Sequence, residues 1–206
     1  MGRVPIVAAA HNEGGIMITT LIALATGLGL STAAGLNAFL PLLTIGVLAR
    51  FGLIDLAAPF GLLTHPLVLL IVAALAVLDF VGDKLPIVDS ALHATGIIIA
   101  PIAGAILALA AQGDVAHIHP TLVMIAGVVA AGSTHLARSA VRPVVTTATA
   151  GTGNPVISLA EDGAALALSV LAILAPALAI ILVVILAVVL FRVFRRAARV
   201  WDEGKA

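Results

Sequence analysis

A chain of 206 residues that is 62% hydrophobic and only 10% charged, with a mean hydropathy of +1.26, carries more apolar surface than a water-soluble domain could cover. Its zero formal net charge argues against a nucleic-acid partner, and the absence of cysteine excludes disulfides, thiolate metal sites and cysteine nucleophiles. What remains is an all-α integral membrane protein; at about 20 residues per crossing, the length suits one domain of five to seven helices.

Residues 1–15, with Arg3, Pro5, His11, Asn12 and Glu13, read as a flexible N-terminal tail whose apolar run is too short for a signal-peptide core. Residues 16–200 read as a single polytopic transmembrane domain, and 201–206 as a C-terminal tail. The apolar run 16–49 exceeds one crossing and is interrupted by Gly27, Gly29, Ser31, Thr32, Gly35, Asn37 and Pro41. This predicts a broken first span, with Gly35, Asn37 and Pro41 as helix-break candidates. Inside a bilayer, breaks persist only where protein or a water-lined cavity satisfies the freed backbone groups, so 31–41 is a place for a binding site. Residues 50–64 read as an external loop with an amphiphilic segment.

A second span is expected over 67–84, with Asp79 and Asp83 on one helix face, Asp79 inside the hydrocarbon, and Pro86 ending the helix. A third is expected over 89–111. Asp89 stands in its first turn, His93 one turn later, and Gly96, Ala100, Gly104 and Ala108 form a small-residue packing stripe. The connection 112–119 holds Asp114, His117 and His119, a pattern too short for a metal site to be assigned. A fourth span, 121–142, ends in a polar stripe of His135, Arg138, Ser139 and Arg142. Residues 144–155, rich in Thr and Gly, are expected to be irregular, as a surface loop or a re-entrant segment. A fifth span starts near Val156 and carries Glu161 and Asp162. The run 163–191 is again too long for one crossing, which predicts a hairpin at Pro176 and a sixth span; one long kinked helix is the alternative. Arg192, Arg195, Arg196 and Arg199 follow.

With six spans, Lys84, Arg138, Arg142 and the C-terminal arginines share one side and Arg50 lies opposite. The positive-inside rule then predicts about six transmembrane helices in a cell's inner (cytoplasmic) membrane, with both termini cytoplasmic. A 3+3 inverted repeat is possible, since Ala34-Gly35-Leu36-Asn37 is echoed by Ala150-Gly151-Thr152-Gly153-Asn154.

Several segments stand out: Ala34 through Leu43 (Ala-Gly-Leu-Asn-Ala-Phe-Leu-Pro-Leu-Leu), Asp79-Phe80-Val81-Gly82-Asp83-Lys84-Leu85-Pro86 with Asp89-Ser90, Pro101-Ile102-Ala103-Gly104-Ala105, the residues His135, Arg138 and Arg142, and Asn154-Pro155-Val156-Ile157-Ser158-Leu159-Ala160-Glu161-Asp162. Together they resemble a family of uncharacterised bacterial membrane proteins, domain of unknown function 4126. The resemblance covers nearly the whole chain after the N-terminal tail and implies a polytopic membrane fold without an established activity. Many members carry Arg at the position of Asn37 and Glu at that of Asp79, so the resemblance implies no shared role for Asn37.

The charged residues set the functional expectation. Asp79, Asp83, Lys84, Asp89, His93, His135, Arg138, Arg142, Glu161 and Asp162 fall on four predicted helices at similar depth near the cytoplasmic face, with Asn154 close by. A purely structural ion-pair network is one reading, because buried charges need partners. The leading reading is a transporter or permeation protein for a small ion or solute. In a cation or proton route Asp79, Glu161 and Asp162 are central; in anion or lipid handling the arginines are. A scaffold subunit would use the Gly96 to Ala108 stripe to bind a partner helix. A membrane enzyme is less supported, since only Ser139 one turn from His135 resembles a nucleophile and base. No cofactor is called for; the lipid bilayer is the expected partner and a homo-oligomer is possible.

Overall fold

The computed structural model describes residues 13–82, 86–112 and 118–203; the side chains of 13, 86–93, 190, 193, 194 and 196–203 lie outside that description. Among the described residues every regular element is helical: α1 (Glu13–Leu36), α2 (Phe39–Arg50), a 3-10 turn (Phe60–Thr64), α3 (Pro66–Gly82), α4 (Pro86–Ala110), α5 (Pro120–Thr149), α6 (Asn154–Leu174) and α7 (Pro176–Glu203).

α1 is the central helix, packed by α4, α5, α6 and α7. It can lie in the interior because its few polar side chains are short and most are satisfied locally; Thr26 Oγ1 is the exception among the described residues of α1, buried without a hydrogen-bond partner. Thr19 and Thr20 donate to Ile16 O, and Thr32 donates to Leu28 O. Ser31 Oγ lies 2.7 Å from Gly27 O and 2.8 Å from Gly104 O, so one hydroxyl ties α1 to α4. Around this helix the fully buried large side chains are Leu30, Ile45, Leu107 and Leu168, set among alanines.

Small residues fix the directions of the helices. A Cβ at Gly27 would lie 3.2 Å from Ala108 Cα, and one at Gly104 would lie 2.6 Å from Gly127 O and 2.5 Å from Ala131 Cβ. Gly96 meets the ring of His135 in the same way. α4 is therefore antiparallel to both α1 and α5, and residues of the Gly96 to Ala108 stripe pack against these sibling helices. Gly35 belongs to the same class of contact. A Cβ there would sit 2.5 Å from Ala131 O and from Thr134 Cβ, so Gly35 serves the approach of α1 to α5.

The first apolar run is broken as expected, at Asn37 and Ala38, with Pro41 buried early in α2. Beyond the break the chain turns back. Asn37 faces Asp79 near the end of α3, whereas a Cβ at Gly46 would meet Leu63 O and Leu69, so α2 and α3 are antiparallel. Ala57 N then donates to Ala110 O at the end of α4, and Arg50 Nη1 donates to Thr64 O. α1 and α3 thus both run toward the break. Glu13 and Arg50 both lie on the side of the bundle away from the break.

Two expectations are corrected. Pro86 opens α4 instead of closing α3, because a proline lacks only an N–H that the first helical turn leaves unused. Residues 144–149 continue α5 through Pro143. Thr146, Thr147 and Thr149 donate to Arg142 O, Pro143 O and Val145 O, so their hydroxyls fit the helix. The turn is confined to residues 150–153, where Ala150 (φ 50°) and Gly151 (φ 83°) are left-handed.

At Pro176 the helix is interrupted by Ala175 alone. A methyl at Gly29 would lie 2.8 Å from Ala172 Cβ and 3.4 Å from Ala179 Cβ. Residues seven apart in a straight helix are separated by about 10.5 Å, so the chain bends sharply here, and α7 packs on α1 and α5 as well as α6.

Three described helices, Gly14–Leu36, Pro120–Thr149 and Asn154–Leu174, are long and apolar enough to cross a membrane. The outward faces of α3 to α7 carry exposed Leu, Ile and Val, among them Leu70, Ile71, Leu78, Ile98, Val129 and Ile181. Such a surface fits hydrocarbon.

Candidate functional site

The site grows from the break. Ending α1 at Leu36 leaves its last carbonyls without helical partners, and starting α2 leaves its first N–H groups exposed. Asn37 and Arg138 resolve both. Asn37 Oδ1 accepts from Phe39 N (3.0 Å) and Leu40 N (3.1 Å), capping α2, and Arg138 Nη1 donates to Leu36 O (2.6 Å), capping α1.

The other end of the Asn37 amide reaches two acids. Its Nδ2 donates to Asp79 Oδ2 of α3 and to Asp162 Oδ1 of α6, each at 2.9 Å. Two carboxylate oxygens on one nitrogen lie within twice that distance of each other. At about 5 Å, two full negative charges repel by about 3 kcal/mol at an effective dielectric of about 20, a repulsion that a cation or proton nearby would relieve.

Beside this bridge is a guanidinium clamp. Arg138 Nε and Arg142 Nη2 both donate to Glu161 Oε2, at 2.7 and 2.8 Å, and Arg142 Nη2 also reaches Ser158 Oγ at 3.3 Å. All three charged side chains are almost wholly enclosed, so the pairing is obligatory in a low-dielectric interior. α5 supplies the arginines one turn apart and α6 supplies Ser158, Glu161 and Asp162 at helical neighbour spacing.

Between the bridge and α4 lies a cavity of about 50 Å³, lined by Asn37, Asp79, Thr95, His135 and Arg138, with Gly96 and Ala100 as part of its α4 wall. A water needs about 10–15 Å³ of such space, so the cavity suits a few waters or one small ion. His135 is the sixteenth residue of the 30-residue α5 and Asp162 the ninth of the 21-residue α6, so the site lies near mid-length of the bundle helices.

Of the residues expected to converge, Asp79, His135, Arg138, Arg142, Glu161 and Asp162 do. Asn154 does not; its Oδ1 accepts from Thr146 Oγ1 at the turn between α5 and α6. Asp83 and Lys84 lie outside the described residues, as do Asp114 and His117 and the side chains of Asp89 and His93. His119 caps α5, its Nδ1 accepting from Thr121 N. Ser139 Oγ donates to the backbone carbonyl of His135, an ordinary helical contact and not a nucleophile-base pair. Sequence reasoning missed the hub role of Asn37, the Leu36 carbonyl and Ser158. The signal for the first was present: a lone amide at a break, one helix turn before a proline.

The fold and site define a class: an all-helical membrane protein whose charged groups gather at a helix break inside an apolar bundle. Residues 24–196 match the family described as domain of unknown function (DUF4126), and the chain belongs to that family. Neither a curated protein nor a solved structure matches it.

Proposed function

We propose that the protein is a small membrane transporter or permeation protein for a small ion, with the Asp79–Asn37–Asp162 bridge as its binding element. The observation that carries the reading is that bridge: two carboxylates from different helices held by one amide at a helix break, beside a cavity of ion size. Intramembrane carboxylates of this kind are costly and typically mark ion pathways. In this reading the ion is a cation held by the two carboxylates, while Arg138 and Arg142 pair with Glu161 and Arg138 also holds the Leu36 carbonyl.

The reading includes an inner-membrane location with the break-containing end toward the cytoplasm, the side on which the positive-inside rule puts Arg138 and Arg142. In that orientation Glu13 faces away from the cytoplasm. α1 then runs toward the cytoplasm and α2 turns back from it.

The test is flux in proteoliposomes under imposed proton, sodium, potassium or magnesium gradients, comparing wild type with Asp79→Asn and Asp162→Asn variants that elute as folded protein. Flux in wild type that falls at least about tenfold in both variants is expected from loss of a cation ligand. Absence of flux under every gradient, or undiminished flux in both variants, would overturn the reading.

A further inference from the structure

α7 outlasts its apolar stretch. From Pro176 to Phe191 it is apolar, which at 1.5 Å per residue is about 24 Å of helix, and it then continues as helix to Glu203. Along the apolar part Leu178, Ile181, Val184, Ile185 and Val188 are exposed, so this face is open to hydrocarbon about 30 Å thick. Phe191 is thus where the apolar stretch of the helix gives way to charge.

Its sequence changes there. Arg192, Arg195, Arg196 and Arg199 recur at i, i+3, i+4 and i+7, which places them in one stripe, while Val193, Phe194, Ala197, Val200 and Trp201 occupy register positions on the other side. These four are nearly half of the ten basic residues in the chain. Arg192 and Arg195 are exposed, and the Arg195 guanidinium stacks 5.6 Å from the Phe191 ring centroid, the aromatic that ends the apolar stretch. Asp202 and Glu203 in the last turn leave the segment net positive.

We propose that residues 192–203 of α7 are a docking surface for anionic phospholipid headgroups, with the arginine stripe on the phosphates and the opposite face against the acyl boundary. Guanidiniums bind phosphate by forked hydrogen bonds, and a basic segment next to a span is drawn to anionic lipid. A soluble acidic partner would neutralise the arginines but offers nothing to the apolar register positions 193–200, and a second copy of the stripe would repel the first. The lipid interface satisfies both faces at once. This inference does not depend on ion transport.

Trp201, the only tryptophan of the chain, is a built-in reporter. The full chain is placed in nanodiscs of neutral phosphatidylcholine or of phosphatidylcholine with phosphatidylglycerol, and quenching of Trp201 by the uncharged quencher acrylamide is measured at low and high salt. Quenching is expected to fall about twofold or more in the anionic discs, with high salt removing the difference. In a quadruple variant (Arg192→Gln, Arg195→Gln, Arg196→Gln, Arg199→Gln) the two discs should give the same quenching. Equal quenching of wild type in both discs at low salt overturns the proposal, as does a difference that persists in a folded quadruple variant. Equal protection by soluble polyphosphate in neutral discs would assign the stripe to a soluble anion and also overturn it. If the variant fails to fold, the wild-type comparison across lipid and salt decides alone.

Discussion

Asn37 uses both donors and both acceptor positions of its amide at once, which makes it the most constrained polar side chain described in the bundle. Its two ends do different work, and substitutions separate them. Asn37→Ala removes the cap and both carboxylate bonds, and a loss of about 2–4 kcal/mol is expected from a cap worth about 1 and charged hydrogen bonds worth about 1.5–3 each, partly replaced by water. Asn37→Asp keeps an oxygen for Phe39 and Leu40 but brings a third carboxylate against Asp79 and Asp162. It should therefore melt below Asn37→Ala when both are followed by thermal unfolding in detergent. The reverse order would show that the cap, not the bridge, dominates. Asn37 was visible in the sequence as a helix-break candidate, but its partners are 42 and 125 residues away, and no spacing rule reaches that far. Glu161 shows the complementary case. Its position one residue before Asp162 suggested a shared role, yet helical geometry turns adjacent residues about 100° apart, so Glu161 faces the arginines and Asp162 faces Asn37.

At the scale of the element, close backbone approach governs what each helix tolerates. Gly104 and Gly163 are both mid-helix glycines in apolar surroundings, and by propensity alone each should gain about 1 kcal/mol from replacement by Ala. Gly163 has open space where a Cβ would go, so Gly163→Ala should be neutral or slightly stabilising. Gly104 has the backbone of Gly127 at 2.6 Å, and a carbonyl cannot rotate away as a side chain can. Gly104→Ala should cost about 1–3 kcal/mol by forcing α4 and α5 apart. Equal melting temperatures for the two variants would contradict the packing. The stripe of small residues at intervals of four was readable from sequence as a packing face, but whether a sibling or a partner covered it was not. The Thr-rich end of α5 was misread for a related reason. Thr and Gly together signal a loop, but threonine hydroxyls can return to helix carbonyls, and only Ala150 and Gly151 take up the left-handed turn.

At the scale of the whole molecule, the solvent decides what an exposed leucine means. Leu70 in α3 and Leu62 in the 3-10 turn are 66% and 68% exposed. In water either could become lysine at little cost. If α3 faces lipid, Leu70→Lys should lower the yield of membrane-integrated protein, since a lysine costs about 2.5–3.5 kcal/mol of insertion energy at a helix centre and a smaller penalty one turn from its start, while Leu62→Lys should be tolerated. Quantifying integrated protein after carbonate extraction checks this; equal yields would mean that α3 does not face hydrocarbon.

The sequence by itself determined that this chain is helical and membrane-embedded and that the first apolar run is broken. Those properties follow from composition and local periodicity, which need only neighbours a few residues apart. The tertiary structure alone decided that α2 turns back beside α3, so that Glu13 and Arg50 share an end. It also decided that the charges divide into a guanidinium clamp and an amide-bridged acid pair. These outcomes depend on which backbones can touch, and in hydrocarbon that is set by small residues on different helices meeting face to face, a relation between distant positions that no local pattern encodes.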